Sequence, residues 1–205
     1  VTNSNVVSSV DFSVLTESGD DLDTERFLPA ECDFMMRDRN WFYSEYDVHT
    51  VKSVEELISL YYYSVGNGAN FLINIGPDRR GLLPEVDARR LLEFGQEIRR
   101  RFSQPVPATW ESTEDGICIR LEEEQFINHV ILQEDLTAGE NIQAFRVSVR
   151  SGLIQHPVCV HMGATIGHKR IIVFPAIRAT EVRVKVTDAK GTFHFLSPQV
   201  FYIRY

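Results

Sequence analysis

Two carboxylates set among apolar residues are the first sign of chemistry in this chain. The segment from Phe27 to Tyr43 reads FLPAECDFMMRDRNWFY, with Glu31 and Asp33 embedded in a stretch that otherwise suits a core. Three readings fit such a pair: solvated loop charges, a structural ion pair with Arg37 or Arg39, or a carboxyl group that does chemistry. For the third, a carboxyl desolvated beside Trp41 and Tyr43 would have its pKa raised and remain protonated as a general acid. An acid beside aromatic rings suits a sugar site, because the rings stack on apolar sugar faces while the acid protonates a leaving oxygen.

Other chemistries find little support. The histidines His129, His156, His161, His168 and His194 lie in the second half without HExxH or comparable spacing, and His49 stands alone, so no metal site is expected. Neither GxGxxG nor a P-loop sequence is present, and GNGAN precedes a strand-like run, the wrong order for a phosphate cradle. No cofactor is implied. Cys32, Cys118 and Cys159 lack CxxC spacing and read as small buried hydrophobes; a Cys118–Cys159 bridge and a reduced interior both remain open.

Elements must hold these residues in place, and their pattern changes near residue 105. Ser53 and Glu56 form a capping box, and Val54, Leu57, Ile58, Tyr61 and Val65 follow at helical spacing. The glycines of SVGNGAN end that helix, and NFLINI reads as a strand buried on both faces. Pro84 and Glu85 open a second helix with Leu91, Gly95, Ile98 and Phe102 on its buried stripe. Strand, helix, strand, helix is the order of an α/β protein. After QPVPAT the period falls to two, and GICIRL, HVIL, AFRVSV, PVCVHM, KRIIVF, EVRVKV and VFYIRY predict roughly eight short strands of a β-sandwich or jelly roll. The expected domains are therefore residues 1–107 and 108–205.

If FLPAECDFM is a barrel strand, alternation puts Glu31 and Asp33 on one face and Cys32 and Phe34 on the other. The acidic face would look into the barrel mouth and the apolar face would meet helices. A complete eight-stranded barrel takes about 250 residues, so residues 1–107 would be part of one.

Composition narrows the partners. The chain has 205 residues, 43% of them hydrophobic, and a formal net charge of −8. That sign argues against nucleic acid, whose binders carry a basic face. No run of about 18 apolar residues suggests a membrane span, and no signal-like segment follows Val1. Of the 29 acidic side chains, 18 fall in residues 1–107, against 11 basic ones, so the acidity belongs to the first half.

The quoted residues also resemble a known family. PAECDFMMRDRNWFY and VKSVEELISLYYYSVGNGANFLINIGPDRRGLLPEVD are similar to the C-terminal part of the catalytic barrel of glycoside hydrolase family 29 α-L-fucosidases, in the α-1,3/4-fucosidase branch. INHVILQEDLTAGENIQAF and GATIGHKRIIVF resemble the β-sandwich after that barrel. The resemblance implies a partial (β/α)8 barrel, its N-terminal half absent, followed by a galactose-binding-like jelly roll. It further implies a retaining enzyme that releases α-1,3/1,4-linked L-fucose from a fucosylated oligosaccharide or glycoconjugate. Glu31 matches the acid/base position, Trp41 and Tyr43 match a WFY motif lining the pocket, and Asp33 joins the substrate-binding set. Asn74 matches the asparagine of an LLLN segment and reads as structural.

Two departures from the family pattern stand out. RDRN is one residue longer than the family's R-P-G, and Ser44 replaces a histidine. None of Asp11, Asp20, Asp21 and Asp23 sits in the WFDGA-like setting of the family nucleophile. A non-catalytic carbohydrate-binding or interaction protein derived from a degenerate fucosidase is the alternative.

Overall fold

A computed structural model of the chain describes residues 30–152 and 156–205. The four upstream aspartates considered above lie outside the described residues. The chain divides into two compact units: an α/β unit that takes the described residues up to Val65 and residues 69–101, and a β unit of residues 66–68 and 102–205.

In the α/β unit, strand β1 (Glu31–Met35) and strand β2 (Asn70–Asn74) pair in parallel, joined by helix α1 (Val54–Tyr63) and followed by helix α2 (Glu85–Phe102). Helix α1 begins where expected. The Ser53 hydroxyl accepts from the Glu56 N–H at 3.1 Å, and the Glu56 carboxylate accepts from the Ser53 N–H at 2.7 Å, satisfying two amides that no helical carbonyl can reach. Met36, Leu57, Ile58 and Phe94 form the buried centre, with Phe71, Ile73 and Ile75 packed against them. The Phe71 ring lies 5.3 Å from Phe34 and 5.7 Å from Phe94, which ties both strands to α2.

Among the described residues, helices cover one face of this strand pair. Strand β2 is therefore not buried on both faces as its apolar run suggested: Asn70 and Leu72 point to the open side, where Leu72 is 43% exposed. Alternation sends Asn70 and Leu72 to the face opposite Phe71 and Ile73, and no layer among the described residues covers it.

The β unit is wholly antiparallel. Its strands are β3 (Ala108–Thr113), β4 (Gly116–Leu132), β5 (Ile142–Arg150), β6 (Val158–Gly163), β7 (Arg170–Ala189) and β8 (Gln199–Phe201), in the order β3-β4-β7-β5-β6 with β8 also on β4. Among the described residues six strands replace the roughly eight expected. GICIRL and HVIL are two ends of β4, and KRIIVF and EVRVKV are two ends of β7. Register shifts between Arg120 and Gln125 and between Ile127 and His129 interrupt the β4–β7 pairing. These irregularities bend a continuous strand where a sequence pattern suggests a turn.

One core cluster draws on both halves of these long strands, including Ile117, Ile119, Ile127, Val130, Val182 and Val184. The tail is held in an unusual way. Beyond β8, the Asn128 side chain takes the place of a backbone partner, donating to the Ile203 carbonyl at 2.7 Å and accepting from its N–H at 2.8 Å. Gly116, at φ +152°, has no room for a side chain, since a Cβ there would meet the Val184 carbonyl oxygen at 2.1 Å. All three cysteines are free thiols; Cys32 and Cys118 are buried, whereas Cys159 on β6 is exposed, contrary to expectation.

Candidate functional site

Strand β1 does separate the two classes of side chain. Cys32 is buried and Phe34 packs toward α2, while Glu31 and Asp33 share the other face with their register partners Asn70 and Leu72. The Glu31 carboxylate accepts a hydrogen bond from the Asn70 side-chain amide at 2.8 Å. Asp33 lies deeper, and its Oδ1 is buried without a hydrogen-bond partner. A buried oxygen without a partner costs about 1–3 kcal/mol, so the position calls for a strained, catalytic or ligand-binding explanation.

Both carboxylates therefore sit on a strand and not in a loop, and among the described residues neither is ion-paired with Arg37 or Arg39. Arg37 is 6% exposed and fully engaged elsewhere. Its guanidinium forms a fork on Asp87 (Nε to Oδ1 3.0 Å, Nη2 to Oδ2 2.5 Å), and Nη1 reaches Asp47 at 2.7 Å and the Ser44 carbonyl at 2.8 Å. The Asn40 amide donates to the second Asp47 oxygen at 2.7 Å. Hydrogen bonding to Asp87, together with Asp47, raises the Arg37 pKa further. The Asn40 amide and Arg37 hold the Asp47 carboxyl below its usual range.

Asp47 and Asp87 were the residues sequence reasoning missed. Asp87 could have been found: it stands four residues before Leu91 on the stripe continued by Phe94 and Ile98. An aspartate on a buried stripe needs a cation or several donors, and it also lies in the first turn of α2, where a carboxylate suits the helix dipole.

The Arg37 cluster shapes the loop that carries Trp41 and Tyr43. Asn74, at the end of β2, donates to the Trp41 carbonyl at 2.6 Å, which accords with a structural part for that asparagine. Gly76 then lets the loop lie flat on β2: a Cβ there would come within 2.3 Å of the Tyr43 nitrogen and 2.8 Å of the Phe42 carbonyl carbon. The Arg37 guanidinium stands 5.8 Å from the centre of the Tyr43 ring. Trp41 is about half exposed and Tyr43 is partly buried.

The two segments are held at different levels of the strand pair. Glu31 pairs with Asn70 at the start of both strands, whereas Trp41 is anchored to Asn74 at their end. Four residues of extended chain separate those levels by roughly 13 Å, so the Trp41 backbone is anchored a strand length from Glu31. The reason is local. The strand runs on through Phe34 and Met35 before the chain turns, and only then does the aromatic segment return over β2.

No other described region gathers a comparable set. A cavity of about 490 Å³ lined by α1 and α2 residues, including Ile58, Glu93 and Arg101, lies on the helix side of the sheet. Most of its charges are paired: Glu93 meets Arg90, and Arg100 and Arg101 hold Glu97 at a pKa of about 2. Among the described residues no group of three or more His, Cys, Asp or Glu could hold a metal ion.

Comparison with known proteins assigns the class first: the relatives are glycoside hydrolases. Residues 10–101 match the family model of α-L-fucosidase, and the chain is similar to the C-terminal part of that family. α-L-Fucosidase 1 of Arabidopsis thaliana is 24% identical over 204 residues, an alignment covering 83% of this chain and 40% of that protein. A candidate α-L-fucosidase of Bacteroides thetaiotaomicron VPI-5482 superposes with a TM-score of 0.80 at 30% identity, covering 87% of this chain and 42% of the other. One from Bacteroides ovatus ATCC 8483 gives 0.77 at 34%, covering 85% and 30%. The chain thus spans about two fifths or less of the length of these relatives.

Proposed function

We propose that this chain is the C-terminal part of an α-L-fucosidase that cleaves α-1,3/1,4-linked L-fucose from a fucosylated oligosaccharide or glycoconjugate with retention of configuration. The match of residues 10–101 to the fucosidase family is the observation that carries the reading. In this reading residues 1–107 belong to the C-terminal portion of a (β/α)8 barrel, residues 108–205 form a β-sandwich that follows it in the chain, and the open face of β1 and β2 is closed by further strands. Those strands would cover Leu72 and supply what Asp33 lacks.

A retaining glycosidase places two carboxyl groups about 5–5.5 Å apart, one attacking the anomeric carbon while the other protonates the departing oxygen and later activates water. On the strength of its motif, Glu31 takes the acid/base part, Asp33 the neighbouring binding position, and Trp41 and Tyr43 the substrate pocket. Replacing Glu31 by Gln in the full-length protein should slow hydrolysis of glycans, which have poor leaving groups, far more than that of activated aryl fucosides, which need little protonation. Equal loss on both substrates removes Glu31 from that part.

A second reading is favoured by the strand-length separation between Glu31 and the anchor of Trp41. Here the chain belongs to a non-catalytic carbohydrate-binding protein of fucosidase descent. Fucosylated glycan that titrates the full-length protein without turnover would support it.

A further inference from the structure

Residues 38–50 form a loop closed at its neck. The Lys52 N–H donates to the Met36 carbonyl at 3.0 Å, and Arg37 and Val51 form an antiparallel bridge just beyond β1. Asp38 and Lys52 add an ion pair at 2.5 Å. Its length and closed ends are those of an Ω-loop, a class that frequently carries function.

The interior of this loop is held by charge. Arg37 sits at the neck, and its guanidinium reaches across to the Ser44 carbonyl and Asp47, and outward to Asp87 in the first turn of α2. Asn40 takes the other Asp47 oxygen, and the Asp47 carbonyl accepts from the Thr50 N–H at 2.8 Å and from its hydroxyl at 2.7 Å. Arg37, Asp47 and Asp87 are all buried. Elements that need only be held together are often held as well or better by apolar side chains of similar volume, because burying an ion cluster costs desolvation. What the planar fork of a guanidinium adds is fixed geometry.

That geometry converges on Tyr43. The peptide before it lies against Gly76, the Ser44 carbonyl after it is bound by Arg37, and its ring centre stands 5.8 Å from the same guanidinium. Two residues earlier, the Trp41 carbonyl is fixed by Asn74, the last residue of β2. The loop is thus anchored at the C-terminal ends of two parallel strands, the end at which a (β/α)8 barrel builds its active site.

We propose that Arg37 is a positioning residue for substrate: locked by Asp47 and Asp87, it sets the loop so that Tyr43 meets the sugar, and so governs how tightly the fucosylated glycan is held. The inference rests on the fucosidase reading and on the motif that gives Tyr43 the substrate pocket. It does not depend on the part given to Glu31.

The test uses Arg37→Lys in the full-length protein. Lysine keeps a cation between the two aspartates but lacks the planar fork that joins Asp87, Asp47 and Ser44. KM for a fucosylated oligosaccharide should rise about tenfold with kcat nearly unchanged, the pattern of lost uniform binding. Tyr43→Ala should raise KM as well, and adding Arg37→Lys to it should have little further effect, since Arg37 acts through Tyr43. Ser53→Ala, which weakens the same unit outside the loop, should leave KM unchanged. If Arg37→Lys does not fold, Asn40→Ala carries the test: loss of one donor to Asp47 should raise KM about threefold. Additive losses in the double variant, or an unchanged KM in the folded loop variants, overturn the positioning part while the fucosidase reading stands. An equal rise in Ser53→Ala overturns it in favour of a general loss of stability. Wild-type protein that hydrolyses neither the oligosaccharide nor an aryl fucoside overturns the fucosidase reading, and the positioning part falls with it.

Discussion

The two units bury very different things. In the α/β unit the buried apolar cluster among the described residues has four members, Met36, Leu57, Ile58 and Phe94, and Arg37, Asp47 and Asp87 are buried as well. Among the described residues the β unit buries nineteen apolar residues in one cluster, and its enclosed Asn128 and Glu134 side chains brace backbone segments. Asn128 replaces a strand partner; Glu134 accepts from the Asn141 and Ile142 amides at 2.7 and 3.1 Å. One unit thus depends on a few charges held in strict geometry, and the other on apolar area. The difference coincides with the candidate site, because the charges that organise the α/β unit also hold its aromatic loop.

The comparison can be broken at its strongest points first. Arg37→Ala should destabilise the α/β unit by about 3–5 kcal/mol, since Asp47 and Asp87 would stay buried without their cation. Phe145→Ala should cost the β unit a similar amount, about 3–5 kcal/mol, through lost transfer energy and a cavity. The two tryptophans, Trp41 and Trp110, fall one in each unit, so fluorescence-detected denaturation of the Trp41→Phe and Trp110→Phe backgrounds reads the units separately. If Arg37→Ala disturbed the Trp110 signal as much as that of Trp41, the division of labour would be wrong.

Acid should act on the units with opposite sign at two defined carboxyls. Asp47 is depressed by Asn40 and Arg37, so its stabilisation is present above the ordinary aspartate value of about 3.9 and is lost as pH falls through its folded value. Glu140 in the β unit is raised by burial and by the nearby Glu134. Its contribution is present below the ordinary glutamate value of about 4.3 and is lost as pH rises through its folded value. The stability advantage of wild type over Asp47→Asn should therefore shrink on acidification, while that over Glu140→Gln should grow. Slopes of the same sign would refute the pair of assignments. A smaller effect, about 1 kcal/mol, is expected for Ser53→Ala, which removes one side of the α1 capping box and should register in the α/β unit alone.

Local signals were legible wherever neighbours in sequence are also neighbours in space. The Ser53–Glu56 box, both helices and the alternation of Glu31, Cys32, Asp33 and Phe34 could be read directly, because each depends on residues a few positions apart. The strand count failed where bulges continue β4 and β7 across segments that look like turns. Burial of NFLINI failed because an apolar run does not say how many of its faces will find a layer.

For the candidate site the same boundary holds. The sequence by itself determined which residue types share the acidic face of β1, and it supplied the motifs that connect the chain with α-L-fucosidases. Only the tertiary structure decided that Arg37 joins Asp47 and Asp87, residues 10 and 50 positions away. It also decided that Trp41 returns to Asn74 while Glu31 stays with Asn70. Alternation and capping are properties of the covalent backbone over a few residues, whereas charge pairing across a fold is settled only when packing removes the water each group would otherwise keep.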